Sequence, residues 1–166
     1  MKNLLLVLGF TCLFSAGSNA QTNKEDLEII QGMYGKSKKE LIQAYMTIPE
    51  TQQPAFWSEY DKYETERKKL GAQRAALIED YANNYATLDD KKATQLMDTK
   101  LKWTLEYGKM QKKYFGSFGK IIGGVQASKL FQMEDYLENN VRLILQESIP
   151  FIDELDKSKL KTATQQ

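Results

Sequence analysis

Two similar segments each precede a long helical pattern, and they constrain the fold of this chain more than any other feature. The first is Ile48-Pro-Glu-Thr-Gln-Gln-Pro-Ala-Phe-Trp57, and the second is Ile122-Gly-Gly-Val-Gln-Ala-Ser-Lys-Leu-Phe131. An apolar residue before an N-cap can pack on the first helical turn, and a Gln at the third helical position can reach back to free backbone N–H groups. The repeat therefore predicts two helix starts. The residues assigned to this helix-start motif are Ile48, Gln52, Phe56 and Trp57 in the first copy, and Ile122, Gln126, Leu130 and Phe131 in the second.

Residues 1–20 have the features of a cleaved Sec signal peptide. Lys2 supplies a positive charge, and the apolar run at residues 4–14 is too short to span a membrane. Ser18 and Ala20 are small residues at the positions that precede a cleavage site, which is then expected before Gln21. No other apolar run is long enough for a membrane helix. We therefore expect a secreted domain without stable membrane insertion.

The remaining chain lacks the residue types that most enzymes and metal sites use. Cys12 is the only cysteine and the chain has no histidine. Lipidation of Cys12 is not expected, because apolar residues, Leu13 and Phe14, follow it. Disulfides, thiol nucleophiles, histidine bases and the commonest transition-metal ligands are thus excluded from residues 21–166. We expect no enzyme and no cofactor, and we assign no catalytic, cofactor-binding or metal-binding residue.

The charge balance does not favour a nucleic-acid partner. Without Lys2, the count of 23 Lys and Arg falls to 22 and equals the 22 Asp and Glu. Locally, the stretch 89–120 is rich in lysine and the stretch 134–161 is rich in acidic residues. The lysines can form a solvated face, pair with the acidic stretch, or attract acidic segments of a binding partner. The sequence leaves these alternatives open.

The apolar periodicity predicts an all-α fold of about four helices and no strand. The helices are expected at residues 24–46, from between Pro49 and Pro54 to about residue 86, from residue 89 to a glycine-rich stop at 119–124, and at residues 125–147. Gly32 and Gly35 weaken the first of these helices, so it can be loose or kinked there. Residues 21–150 then form one elongated helical hairpin domain, and residues 151–166 form a mobile polar tail. A long apolar stripe on so few helices predicts a homodimer.

The motifs, the helix order and the leader together resemble the periplasmic Spy/CpxP-like family, whose signature is a repeated Leu-Thr-x-x-Gln. The first copy continues, as is typical there, with Phe56-Trp57-Ser-Glu-Tyr60-Asp-Lys-Tyr63-Glu-Thr-Glu-Arg67. Leu88-Asp-Asp-Lys-Lys92 looks like a third, degenerate copy. Pro49 and Gly123 stand where the family has Thr, but both residue types are compatible with a helix start. The resemblance covers about residues 40–150.

This resemblance implies a cradle-shaped helical dimer that binds unfolded proteins without ATP during envelope stress. The alternative that it implies is a regulatory adaptor, which binds the periplasmic domain of a sensor kinase or a sigma-factor signalling system. A neighbouring group in the same superfamily consists of metal sensors, but the absence of His and Cys from residues 21–166 argues against that role.

The aromatic content bears on the chaperone hypothesis. Nine Tyr, two Trp and, outside the leader, five of the seven Phe remain for a thin helical domain. They can form its core, or some of them can form an exposed surface for varied partners, because a thin layer cannot enclose them all. Both interpretations stay open at this point. The candidate client-binding residues are Lys100, Trp103, Tyr107, Lys109, Met110 and Tyr114.

Overall fold

The computed structural model describes Met33, residues 35–146 and residues 149–151. In this part of the chain the fold is all-α, as predicted, and contains no strand. The expected leader (1–20) and all but the first residue of the expected polar tail lie outside the described residues. The elements in chain order are α1 (Lys38–Tyr45), a 3-10 turn (Glu50–Gln52), α2 (Gln53–Asn84), a second 3-10 turn (Tyr85–Thr87) and α3 (Asp90–Gln146).

The helix predicted at residues 24–46 does not run unbroken into α1. Gly35 has a φ of 62°, a left-handed conformation that glycine adopts without steric cost. Ser37 then caps α1 through a capping box: its hydroxyl accepts the Glu40 N–H, and the Glu40 carboxylate accepts the Ser37 N–H. The weak point predicted at Gly35 is therefore a helix boundary, and the described helix starts at Lys38. The part of the predicted helix at residues 24–32 lies outside the described residues.

The predicted second helix is confirmed as α2, which at 32 residues spans about 48 Å. Pro54 lies in its first turn, where a missing N–H has no consequence. α3 starts with a cap by Asp89, whose carboxylate accepts the Lys92 N–H at 2.7 Å. The indole N–H of Trp103 on α3 donates to the Leu70 carbonyl on α2 at 2.7 Å. The two helices therefore run antiparallel from the turn that joins them.

A single residue, Gly123, divides α3 into a first segment (90–122) and a second segment (124–146). Its φ of 79° and ψ of 155° are accessible almost only to glycine. Gln111 donates to Asp135 at 2.6 Å, and the rings of Phe115 and Phe131 lie 5.8 Å apart. Each of these pairs is equidistant from Gly123, so α3 folds back on itself as an antiparallel hairpin. The predicted break at 119–124 is confirmed, although the helix continues as far as Ile122.

The core forms where α2 packs against both segments of α3. The Tyr63 ring on α2 lies 5.4 Å from Tyr114 on the first segment and 5.9 Å from Phe131 on the second. α1 closes one side of this bundle with Ile42. The buried residues of the main cluster are Ile42, Met46, Phe56, Tyr60, Tyr63, Leu70, Tyr107, Met110, Tyr114, Phe118, Ile122, Ala127 and Leu130.

The three-helix bundle occupies only one end of the molecule. The second segment of α3 ends at Gln146, and Arg142, one turn earlier, lies over the rings of Trp103 and Tyr107 at 5.2 Å and 4.7 Å. Beyond this level α2 and the first segment of α3 continue as a pair to the turn at Tyr85–Thr87. We call this two-helix part, residues 71–102, the arm.

Candidate polypeptide-binding surface

Three of the six predicted client-binding residues lie in the core. Tyr107, Met110 and Tyr114 are 8%, 2% and 3% exposed, respectively. They form the seam along which the first segment of α3 contacts α2, because their spacing places them on one side of that helix. These three side chains do not line an exposed surface. The reason is that two neighbours cover this side of α3: Tyr114 packs against Tyr63 of α2, and Tyr107 lies beneath Arg142 of the second segment, which folds back at Gly123.

The other three predicted residues lie at the surface or close to it. Trp103 is half-buried and packs against the main core cluster. Lys100 is exposed, and Lys109 is exposed and forms an ion pair with Glu106 on its own helix at 2.7 Å. The six residues therefore do not form one continuous binding face.

The lysines of α3 also bear on the charge pattern. Within the described structure, two lysines of α3 form ion pairs with acidic residues of α2. Lys113 contacts Glu66 at 2.6 Å, and Lys92 contacts Asp80 at 2.8 Å. These lysines neutralise charge on α2 rather than on the acidic second segment of α3.

The helix-start motifs supply apolar anchors rather than glutamine caps. Ile48 packs against the main cluster and Ile122 is buried in it. Gln52, at the start of α2, makes no side-chain capping hydrogen bond. Its neighbour Gln53 instead donates to the Ile48 carbonyl at 3.4 Å. Gln126 Oε1 is buried without a hydrogen-bond partner among the described residues.

In both copies of the motif, the later apolar pair faces the core. Phe56 and Leu130 are fully buried, and Trp57 and Phe131 pack against the main cluster.

A buried ionic cluster, which the sequence analysis missed, joins α1, α2 and the second segment of α3. We define it by Lys38, Glu64, Arg67, Glu134 and Glu138. The Lys38 ammonium contacts both Glu64, at 2.8 Å, and Glu134. Arg67 contacts Glu64 at 2.8 Å and Glu138 at 3.3 Å. The cluster therefore fastens the short α1 to the two longer helices.

Two tyrosines form further hydrogen bonds to the cluster. Tyr60 and Tyr63 donate their hydroxyl protons to Glu134 at 2.9 Å and 3.2 Å. Burial, reinforced by the negative charge of Glu134, raises the pKa of both hydroxyls well above the usual value. Both groups therefore remain neutral hydrogen-bond donors at neutral pH.

Two members of the cluster, Glu64 and Arg67, have pKa values that keep them charged at neutral pH. Burial by itself would raise the pKa of Glu64, but the positive charges of Lys38 and Arg67 outweigh it and lower this pKa to about 2. Burial likewise opposes the charge of Arg67, but the adjacent Glu64 holds its pKa well above the usual value. The one sequence signal was Arg67, a charged residue in line with the apolar stripe of Tyr60, Tyr63 and Leu70.

An apolar cleft lies between α1 and the second segment of α3, and we call it the α1 cleft. Leu41 and Leu137 are buried at its floor. Tyr45 and Tyr136 form its rims and are 73% and 60% exposed. Lys36 and Met133 complete the lining of about 460 Å³. An apolar cleft between exposed aromatic rims can receive apolar side chains of another polypeptide, and the tyrosine hydroxyls can bond its backbone.

Comparison with known proteins does not assign this chain to a family. The chain matches no family model, no curated protein and no solved structure. Within the described ranges, no three His, Cys, Asp or Glu side chains converge as a metal ion requires. Of the helices in those ranges, none combines the length and hydrophobicity needed to cross a bilayer. The α1 cleft is thus the candidate site on the strength of its own geometry.

Proposed function

We propose that this protein is a periplasmic, ATP-independent chaperone that holds unfolded or aggregation-prone proteins during envelope stress. The observation that carries the proposal is the α1 cleft, with Tyr45 and Tyr136 exposed above an apolar floor. The resemblance of the helix-start motifs and the leader to the Spy/CpxP-like family supports the same function.

The chemistry of the cleft suits weak binding of many different sequences. Burial of apolar surface contributes about 25 cal/mol per Å² and needs no particular side-chain geometry. Met133, at the floor, can adapt to irregular partners because its thioether chain is unbranched and flexible. Contacts of this kind are reversible, so clients can leave without nucleotide hydrolysis.

The proposal includes the elongated helical cradle, a homodimer, and a periplasmic location after removal of residues 1–20. Exposed apolar side chains on several helices support self-association, among them Phe115 and Val125 at the Gly123 end of the molecule. Sedimentation equilibrium of the purified protein measures the oligomeric state, and N-terminal sequencing of secreted protein measures the cleavage site.

Suppression of client aggregation tests the function. The purified protein at an equimolar ratio should keep a denatured client soluble without ATP. The double variant Tyr45→Ser/Tyr136→Ser should lose most of this activity, because it removes both rims of the cleft. Leu105→Ser is the matched control, since Leu105 is 67% exposed but lies on the first segment of α3. If both variants keep full activity and their helical circular dichroism, the α1 cleft is not the client site.

The regulatory adaptor is the other outcome that the experiments can reveal. A pull-down from envelope extract should recover many unfolded proteins with the intact cleft and few with the double variant. Recovery of one membrane protein in a fixed stoichiometric ratio, with no suppression of aggregation at severalfold excess, would replace the chaperone with the adaptor.

A further inference from the structure

In the bundle, the second segment of α3 packs on one face of the pair formed by α2 and the first segment of α3. The same face of this helix pair continues along the arm, where no described residue covers it. On the first segment of α3, Gln111 and Phe115 contact Asp135 and Phe131 of the second segment. About five helical turns earlier, on the same side of the helix, lie Ala93 and Met97. Met97 is 56% exposed.

On α2, too, residues that contact the second segment of α3 in the bundle are followed along the same side of the helix by apolar residues in the arm. Tyr60 and Tyr63 bond Glu134 of the second segment. About five turns later, on the same side of α2, lie Ile78 and Tyr81. Both are only half-buried. The arm therefore presents an apolar groove between two helices, which continues the direction of the second segment of α3.

The chain itself continues from the point at which this groove begins. Beyond Gln146, the Ile149 N–H donates to the Gln146 carbonyl at 3.0 Å, and helical backbone resumes at Pro150 and Phe151. Proline is favourable in the first turn of a new helix. Apolar residues then follow at the i, i+3 spacing of a helix face: Ile149, Ile152 and Leu155.

The lengths also agree. From Trp103, beside which the second segment of α3 ends, to Asp90 at the start of α3, the arm extends about 20 Å. A helix from Ile149 to Leu160 is about 18 Å long. We propose that residues 149–160 dock on the uncovered face of the arm as a third helix, with Ile152 and Leu155 in the groove beside Ile78 and Met97. This inference does not depend on the chaperone function, because it concerns a different surface.

Disulfide trapping in the full chain tests the proposal. In a Cys12→Ser background, the pair Met97→Cys/Ile152→Cys places one thiol on the uncovered face and one on the C-terminal segment. The matched control is Thr99→Cys/Ile152→Cys, because Thr99 is also exposed and equally close along the chain, but lies on the opposite side of α3. The two pairs are made as two separate proteins, and circular dichroism checks the helical content of each.

A docked segment raises the effective concentration of the two thiols, so the Met97 pair should close within one chain at least about fivefold faster than the Thr99 pair. Adding Ile149→Asp and Leu155→Asp, two further positions on the apolar face of the segment, to the Met97 pair should abolish this advantage. Equal rates for the two pairs would overturn the proposal. Covalent dimers as the main product of the Met97 pair at low protein concentration would also overturn it, because a second copy would then cover the groove.

Discussion

Lys38 and Lys39 are neighbours in sequence but differ in environment. Lys38 is 5% exposed and lies between Glu64 and Glu134, whereas Lys39 is 53% exposed and pairs with Asp61. Lys38→Met should lower the free energy of unfolding by about 3 kcal/mol, because it leaves buried carboxylates without their cation. Lys39→Met should change it by less than about 1 kcal/mol, since exposed pairs contribute little. Urea denaturation measures both values, and equal effects would show that the cluster does not hold α1.

Glu64 makes the stability depend on pH below the neutral range. Its pKa is lowered from 4.5 to about 2 in the folded protein, so its stabilising effect is complete above about pH 4.5 and is lost as the pH falls towards 2. The shift corresponds to about 3 kcal/mol. The stability difference between the natural protein and Glu64→Gln should therefore be large at pH 7 and should shrink between pH 4.5 and pH 2. A difference that stays constant over this range would show that Glu64 is not the titrating group.

The sequence predicts which side chains share one side of a helix, but not whether that side is buried. The pattern identified Tyr107, Met110 and Tyr114 as one side of a helix, and that side exists. Whether such a side faces water or a neighbouring helix depends on how the chain folds back further along, which spacing within one helix does not encode. The pairing of Lys38 with Glu134 is equally hidden, because it joins residues on two distant helices.

At the scale of elements, Gly123 determines the hairpin of α3. A side chain is strained at its φ of 79° and ψ of 155°, although an added Cβ would meet no neighbouring atom within 4 Å. Gly123→Ala should therefore lower the free energy of unfolding by about 1–3 kcal/mol. Gly124→Ala is the matched control: it also has open space, but it lies in helical backbone, where alanine should stabilise by up to about 1 kcal/mol. Thermal or urea unfolding distinguishes the two, and equal effects would contradict a special role for Gly123.

Element boundaries were the most predictable part of this fold. Prolines near the start of α2, Asp89 at the start of α3 and the glycines near 123 are local signals, and each marks an end that the structure contains. The weak point at Gly35 was predicted, but the Ser37 capping box that makes it a helix boundary was not. The prediction for Gln52 erred in the other direction. The motif predicted a capping hydrogen bond from this side chain, and Gln52 does not form one.

At the scale of the whole molecule, the aromatic residues are divided between core and surface. The rings from Phe56 to Tyr63 on α2 are enclosed by both segments of α3, whereas Tyr45 and Tyr136 remain exposed at the α1 cleft. In the described residues, the three-helix bundle thus carries an exposed apolar cleft, and the two-helix arm carries another apolar face. The two surfaces lie on different helix pairs, so they can be perturbed separately.

Removal of residues 149–166 separates the roles of these two surfaces. If the C-terminal segment covers the arm, its removal should increase amide hydrogen exchange at residues 93–101 severalfold, because those helix turns lose a packing partner. Exchange at residues 110–118, inside the three-helix bundle, should not change. Suppression of client aggregation should persist and should still depend on Tyr45 and Tyr136, since the α1 cleft is intact. Unchanged exchange in the arm would mean that the segment does not dock there, whereas loss of suppression would mean that clients bind the C-terminal segment instead of the cleft.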